Sequence, residues 1–125
     1  MKGAILVVED SDDTRELLAE LLMREGYHAV MARDGAEALR RMDILVPDLV
    51  ITDLEMPGVD GAELIRQMAG REHLRAVPVC MLSGTTREHL AQLKNANDNL
   101  VASLRKPVKM TEFLDVVAGL LGKSE

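Results

Sequence analysis

The sequence contains very few aromatic residues and only one cysteine. Aromatics make up 2% of the 125 residues, and there is no tryptophan. Aliphatic side chains and eight methionines must therefore fill any core. The lone Cys80 excludes a disulfide within the chain and favours a reducing compartment. Because Cys80 lies inside an apolar run, we interpret it as a core residue.

The sequence also has no excess of basic residues and no long apolar run. Twenty-one acids oppose 15 bases, which gives a net charge of −6. Binding to nucleic acid depends on clustered Lys and Arg, so we expect no direct nucleic-acid partner. No apolar stretch approaches the roughly 20 residues of a membrane helix, and the first residues show no export leader. We therefore expect a soluble cytoplasmic protein with no membrane partner.

Hydrophobic residues make up 47% of the chain, enough for one domain over residues 1–125 with its core at about 3–122. Short apolar runs alternate with amphipathic helical patterns, which predicts an α/β fold with a parallel sheet covered by helices on both faces. For the first helix we expect a start at Thr14, a cap at Asp12 or Asp13, and a buried face that includes Leu17. The five predicted strands span residues 4–8, 27–32, 49–52, 77–82 and 100–104.

Reactive side chains follow four of these five strands. Glu9 and Asp10 follow the first, Asp53 follows the third, Ser83 the fourth, and Lys106 comes just after the fifth. The carboxyl ends of parallel strands share one edge of a sheet, so these side chains are expected to meet there.

The three acids of this set need a positive partner, or one of their carboxyl groups must take up a proton. Two unit charges about 4 Å apart repel by about 4 kcal/mol at an effective dielectric of 20. A site of carboxylates without His or Cys suits Mg²⁺, and Lys106 supplies a fixed positive charge. A carboxylate nucleophile beside a hard cation, a lysine and the Ser83 hydroxyl points to phosphoryl transfer.

Four motifs in order along the chain resemble the response-regulator receiver domain, the CheY-like module of two-component signalling. The resemblance covers almost all of the 125 residues and implies a flavodoxin-like sheet in the order 2-1-3-4-5 with five helices. The motifs are Val8-Glu9-Asp10, the run Asp53-Leu54-Glu55-Met56-Pro57-Gly58-Val59-Asp60-Gly61, Leu82-Ser83-Gly84 and Lys106-Pro107.

The resemblance implies a role for each motif residue. Asp53 would accept a phosphoryl group from a histidine kinase or a histidine phosphotransfer protein, and the chain would be a signalling switch rather than an enzyme. Ser83 and Lys106 would bind that group, and the bond before Pro107 would be cis. The ligands implied for Mg²⁺ are Asp10, Asp53, Glu9 through water, and the backbone carbonyl of Glu55.

Phosphorylation would then shift the face formed by the fourth helix, the fifth strand and the fifth helix toward binding an unidentified downstream protein. Two residues bear on this switch. Ser103 occupies the position where the family usually has Tyr or Phe, so the aromatic side chain of the usual coupling is missing. Glu55 adds a negative side chain at the rim of the site.

Three other functions compete with the signalling switch. A receiver-like module could bind partners without being phosphorylated, and Ser103 keeps this alternative open. A Mg²⁺-dependent phosphohydrolase also uses an aspartyl nucleophile, but places its Asp-x-Asp pair after the first strand and needs a cap domain. A flavin carrier would need aromatic side chains that stack on the flavin.

The chain could be a stand-alone regulator or a receiver cut from a longer protein.

Overall fold

The computed structural model describes residues 3–121, so the predicted core limit at residue 122 lies outside the described residues. Five strands alternate with five helices in this part of the chain. The strands are β1 (Ala4–Val8), β2 (His28–Ala32), β3 (Leu49–Asp53), β4 (Val79–Ser83) and β5 (Leu100–Arg105). The helices are α1 (Asp12–Arg24), α2 (Gly35–Ile44), α3 (Gly61–Ala69), α4 (Arg87–Ala96) and α5 (Met110–Leu121).

All five strands form one sheet in the order β2-β1-β3-β4-β5, and every neighbouring pair is parallel. The predicted α/β class and strand order are therefore confirmed. The central strands β1, β3 and β4 are almost fully buried, whereas the edge strands β2 and β5 are partly exposed. Burial on both faces explains why the central strands are continuous apolar runs rather than alternating ones.

Two apolar cores lie on opposite faces of the sheet. Residues of β1 alternate between them, with Ile5 and Val7 in one core and Leu6 and Val8 in the other. Helices α1 and α5 close the first core, while α2, α3 and α4 cover the second. The candidate site lies at the carboxyl edge of the sheet.

The start of α1 differs from the prediction. The helix begins at Asp12 rather than Thr14, and its cap is Ser11, whose side chain accepts a hydrogen bond from the Thr14 amide. Ser11 has the extended backbone of a cap, whereas Asp12 and Asp13 fall in the first turn, where acids favour the positive end of the helix dipole. Leu17 is 50% exposed, so it does not belong to the predicted buried face.

The strands that carry site residues end one position later than predicted. β3 runs to Asp53, and β4 runs from Val79 to Ser83. Val77 donates its amide hydrogen to the Leu74 carbonyl in the preceding turn, so β4 begins after Pro78. As a result, Asp53 and Ser83 take their positions from the sheet ladder itself and are both buried.

Candidate functional site

The carboxyl edge of the sheet brings the predicted site residues together. Glu9, Asp53 and Ser83 are buried there, and Asp10 is exposed. The Lys106 amide donates to the Ser83 carbonyl at 3.0 Å, which ties the end of β5 to the end of β4. The Lys106–Pro107 peptide bond is cis.

Three acids form a cluster at this edge. Glu9, Asp10 and Asp53 each present a carboxylate oxygen, and these oxygens lie within 4.8 Å of one another. Glu9 Oε2 accepts a hydrogen bond from the Ser11 amide at 2.9 Å, which fixes its carboxylate at the start of α1. The side chain of Arg15 reaches back from α1 and donates to the Glu9 carbonyl at 2.9 Å.

Lys106 supplies positive charge next to Asp53. Its Nζ forms an ion pair with Asp53 Oδ1. This oxygen is buried and accepts no well-aligned hydrogen bond within the described part of the chain. The ion pair therefore leaves Asp53 under-satisfied, as expected for an oxygen that can take a further partner.

Burial makes the charged forms of two of these acids costly. It raises the pKa of Glu9 to about 7, and the nearby Asp53 charge adds to the effect, while the Ser11 amide opposes it. Burial also raises the pKa of Asp53, against the opposing influence of Lys106. For Lys106 burial alone would lower the pKa, but Asp53, Glu9 and Glu55 together outweigh it and raise it. One lysine therefore does not neutralise the cluster.

The cluster fits a hard divalent cation. Its donors are carboxylate oxygens, with an under-satisfied one on Asp53, and such oxygens are the ligands Mg²⁺ prefers. A cation would favour the ionised forms that burial disfavours. The chemistry of the donor set thus agrees with the predicted Mg²⁺ ligands Glu9, Asp10 and Asp53.

Ser83 and Glu55 form a contact that the sequence did not predict. The Ser83 hydroxyl donates to Glu55 Oε2 at 3.2 Å and accepts a hydrogen bond from the Thr85 amide at 2.9 Å. The Glu55 side chain is exposed at the rim of the site and lies outside the acid cluster. Ser83 Oγ is thus already engaged by a carboxylate.

Gly61 is a second feature that sequence reasoning missed. A Cβ at this position would lie 2.4 Å from the Asp53 carbonyl oxygen and 2.9 Å from Leu54 Cα. The Gly61 amide also donates to the Leu54 carbonyl at 2.8 Å. The start of α3 therefore lies against the backbone of Asp53, which requires a glycine. The sequence signal was present in Asp60-Gly61, but it also fits an ordinary capped helix start.

Ser103 lies apart from the acid cluster. It pairs with Met81 on β4, two residues before Ser83, and its side chain is exposed. Ser103 therefore belongs to the surface between β5 and α4, beside the site rather than in it.

Comparison with known proteins identifies this arrangement. The family model of the response regulator receiver domain matches residues 5–118, nearly the whole chain. The chain belongs to the response regulator receiver family. The resemblance carried by the four motifs is confirmed, and receiver domains of this family serve generally as signalling modules.

Curated relatives of this receiver domain include both kinases and small regulators. It is 36% identical over 118 residues to the CAI-1 autoinducer sensor kinase/phosphatase CqsS of Vibrio cholerae, covering 91% of this chain and 17% of the relative. It is 31% identical over 120 residues to hybrid signal transduction histidine kinase D of Dictyostelium discoideum, covering 96% of this chain and 8% of the relative. The receiver thus spans a small part of these kinases. The polar-differentiation response regulator DivK of Brucella ovis is 26% identical, with 98% of each chain covered.

Solved structures match the receiver fold closely. The chemotaxis protein CheY4 of Vibrio cholerae superposes with a TM-score of 0.87 at 26% identity, covering 94% of this chain and 97% of that one. The signal receiver domain of a histidine kinase from Syntrophus aciditrophicus gives a TM-score of 0.84 at 34% identity, covering 98% and 95%. Within residues 3–121, no helix combines the length and the apolar composition needed to cross a membrane.

Proposed function

We propose that this receiver accepts a phosphoryl group on Asp53 from the phosphohistidine of a histidine kinase or a histidine phosphotransfer protein. The observation that carries the proposal is the setting of Asp53. It is buried at the carboxyl edge of the sheet, paired with Lys106 and grouped with Glu9 and Asp10. This is the setting that phosphoryl transfer to a carboxylate requires.

In the transfer, an oxygen of the Asp53 carboxylate bonds to phosphorus while the bond between phosphorus and the donor histidine nitrogen breaks. The donor imidazole carries a proton on its other ring nitrogen, so the electrons of the broken bond leave with it and the released imidazole is neutral. Glu9, Asp10, Asp53 and the backbone carbonyl of Glu55 would hold Mg²⁺. When bound, the cation neutralises charge on the carboxylates and on the phosphoryl oxygens.

Two side chains of the site would hold the transferred group. Lys106 already pairs with Asp53 and would pair with a phosphoryl oxygen instead. The Ser83 hydroxyl would donate to a second oxygen, which requires it to leave Glu55. The movement of Ser83 and of the loop at Thr85 would carry the change to α4, β5 and α5.

We place this switch in the cytoplasm as a single domain over residues 1–125. Its output would be binding of a downstream protein through the face formed by α4, β5 and α5, without direct contact to nucleic acid or membrane. That the relatives include sensor and hybrid histidine kinases supports a kinase as the phosphodonor.

Intact-mass spectrometry tests the assignment. After incubation with acetyl phosphate and Mg²⁺, we expect one phosphoryl adduct on the wild-type chain and none in EDTA. Asp53→Asn should abolish the adduct, because an amide is not a nucleophile here. The control Asp98→Asn changes an exposed aspartate in the loop before β5 and should keep it.

The same assay separates the alternatives. An unchanged adduct on Asp53→Asn would refute the phosphoacceptor. Continuous release of phosphate, in place of a stoichiometric adduct, would indicate a phosphohydrolase. A wild-type chain that never forms an adduct would favour an interaction module that works without phosphorylation.

A further inference from the structure

The small side chain of Ser103 leaves a cavity between α4 and β5. Helix α4 contributes no buried residue and contacts the core only through the partly buried Leu90 and Leu93. Ser103, on the edge strand β5, does not reach across to fill the space under the helix. A cavity of about 220 Å³ results, and Leu90, Leu100 and Ala102 line its apolar part together with Ser103.

This cavity shares lining residues with a second cavity, which lies nearer the acidic site. The second cavity, of about 240 Å³, shares Arg87, Leu90 and Ser103 with the first and extends to Ser83 and Thr85. Any group seated over Ser103 would therefore lie against the wall that borders the Ser83 hydroxyl. The cavity beside Ser103 is therefore linked through these shared lining residues to Ser83, at the edge of the sheet that carries Asp53.

The rim of the first cavity is positive in an otherwise acidic chain. Arg87 and Lys94 line it, and no acidic residue does so among the described residues. Within residues 3–121, neither Arg87 nor Lys94 takes part in an ion pair. On a chain of net charge −6, these two cations make the rim locally positive, which favours a negatively charged partner. Acidic Glu112 lines only the second cavity.

We propose that this α4–β5 groove, formed by Arg87, Leu90, Lys94, Leu100, Ala102 and Ser103, binds an acidic segment of a partner protein. The segment places one large apolar side chain over Ser103, and its acids meet Arg87 and Lys94. An apolar side chain in the cavity displaces water that has few polar partners there. The apolar side chain of the partner thereby fills the space that the small Ser103 side chain leaves empty. This inference rests on the proposed function, since it names the chemistry of the output partner.

A selection from a random peptide library displayed on phage tests the groove with a defined probe. The target is the wild-type chain, and selected peptides are resynthesised for affinity measurements by fluorescence anisotropy. We expect the selected peptides to share one aromatic or large aliphatic residue flanked by Asp or Glu. Enrichment of basic peptides, or of none, would overturn the proposal.

Variants then locate the binding surface. Ser103→Phe should weaken the selected peptides at least about tenfold because it fills the cavity, while Ser103→Ala leaves the space open and should bind as the wild type does. Arg87→Glu and Lys94→Glu should each weaken binding several-fold, with a strong salt dependence, unlike Arg75→Glu in the exposed α3–β4 loop. Equal binding to Ser103→Phe would overturn the groove. Circular dichroism establishes that each variant is folded.

The results of the peptide assay and of the adduct assay distinguish a failure of the groove proposal from a failure of the proposed function. A wild-type chain that forms the Asp53 adduct but selects no acidic apolar peptide keeps the proposed function and loses the groove. Peptide binding that depends on Ser103, in a chain without an adduct, keeps the groove as a binding surface and overturns phosphorylation as its control.

Discussion

Burial and charge oppose each other at the acids of the site. Glu9 and Asp53 are held in positions that disfavour their ionised forms, and Lys106 offsets only part of that cost. Burial thus raises the pKa of both acids, and shifts of this kind are concentrated at functional sites. At the scale of single residues, this conflict should be measurable as a dependence of stability on pH.

Glu9→Gln should stabilise the metal-free chain more at pH 8 than at pH 5. The folded pKa of Glu9, about 7, lies above its ordinary value of 4.5, so the folded state binds the proton more tightly. The contribution of Glu9 to the free energy of unfolding therefore falls as pH rises from about 4.5 to about 7. Gln carries no charge and avoids this loss. We expect a difference of about 1–2 kcal/mol, discounted for solvent at the mouth of the site.

Urea unfolding in EDTA at the two pH values measures this difference. Glu16→Gln, at an exposed position of α1, serves as the matched control and should change little with pH. A Glu9→Gln effect that is equal at both pH values would show that the charge of Glu9 costs the fold nothing.

Glu55 should oppose phosphorylation of Asp53. Its carboxylate accepts the Ser83 hydroxyl and adds negative charge near Asp53, where a phosphoryl group would bring more. Glu55→Gln removes the charge but keeps an acceptor, whereas Glu55→Ala removes both. We expect both variants to raise the adduct fraction at limiting acetyl phosphate a few-fold, Glu55→Ala more strongly, as about 1 kcal/mol of interaction would give.

Mass spectrometry over time gives the adduct fraction. Glu72→Ala, an exposed glutamate in the α3–β4 loop at the opposite edge of the sheet, should behave as the wild type does. If Glu55→Ala accumulated no more adduct than the wild type, the contact with Ser83 would not restrain the site.

Among the elements, the start of α3 fixes the backbone of Asp53. The helix approaches so closely that only Gly61 fits against the Asp53 carbonyl, and the Gly61 amide bonds to Leu54. The atoms in the way are mainly backbone, so a side chain there cannot be accommodated by a change of rotamer. The position of the proposed phosphoacceptor thus depends on the packing of one helix end.

Gly61→Ala should therefore destabilise the fold by about 1–3 kcal/mol, as overpacking does, and lower the yield of the Asp53 adduct. Urea unfolding and the mass assay measure the two effects. Gly119→Ala is the matched control: its Cβ would meet nothing within 4 Å, and alanine favours the helix by up to about 1 kcal/mol. A Gly61→Ala chain as stable as the wild type would contradict the close approach.

At the scale of the whole molecule, Mg²⁺ and folding should be linked. The acid cluster forms only when β1 and β3 pair, so a cation held by it binds the folded chain and not the unfolded one. We expect Mg²⁺ to raise the free energy of unfolding by about 1.4 kcal/mol for each tenfold increase in concentration above the dissociation constant. Asp10→Asn should raise the dissociation constant and so reduce the stabilisation at a given Mg²⁺ concentration, and Asp98→Asn should not.

Chemical unfolding at constant ionic strength, with Mg²⁺ exchanged for Na⁺, measures the linkage. An equal gain for the wild type and Asp10→Asn would show that Mg²⁺ only screens the net negative charge of the chain.

The class of the fold and a set of candidate site residues could be predicted from the sequence. Strands buried on both faces must be apolar throughout, so β1, β3 and β4 were visible as short apolar runs. The carboxyl ends of parallel strands lie at one edge of the sheet, so the residues that follow the strands could be predicted to lie near one another. The start of α1 was harder to predict from the sequence, because Ser11, Asp12 and Asp13 are all residue types that cap helices. In the structure Ser11 is the cap and has the extended backbone of that position.

The contacts between elements could be read from the three-dimensional structure alone. The hydrogen bond from Ser83 to Glu55, the fit of Gly61 against Asp53 and the cavity beside Ser103 each join segments far apart in the chain. A periodic pattern shows which face of an element is buried, but not which atoms of another element it meets. Distances of a few ångströms between such atoms follow from the packing of helices on the sheet, and they control how Asp53 is restrained and where a partner would bind.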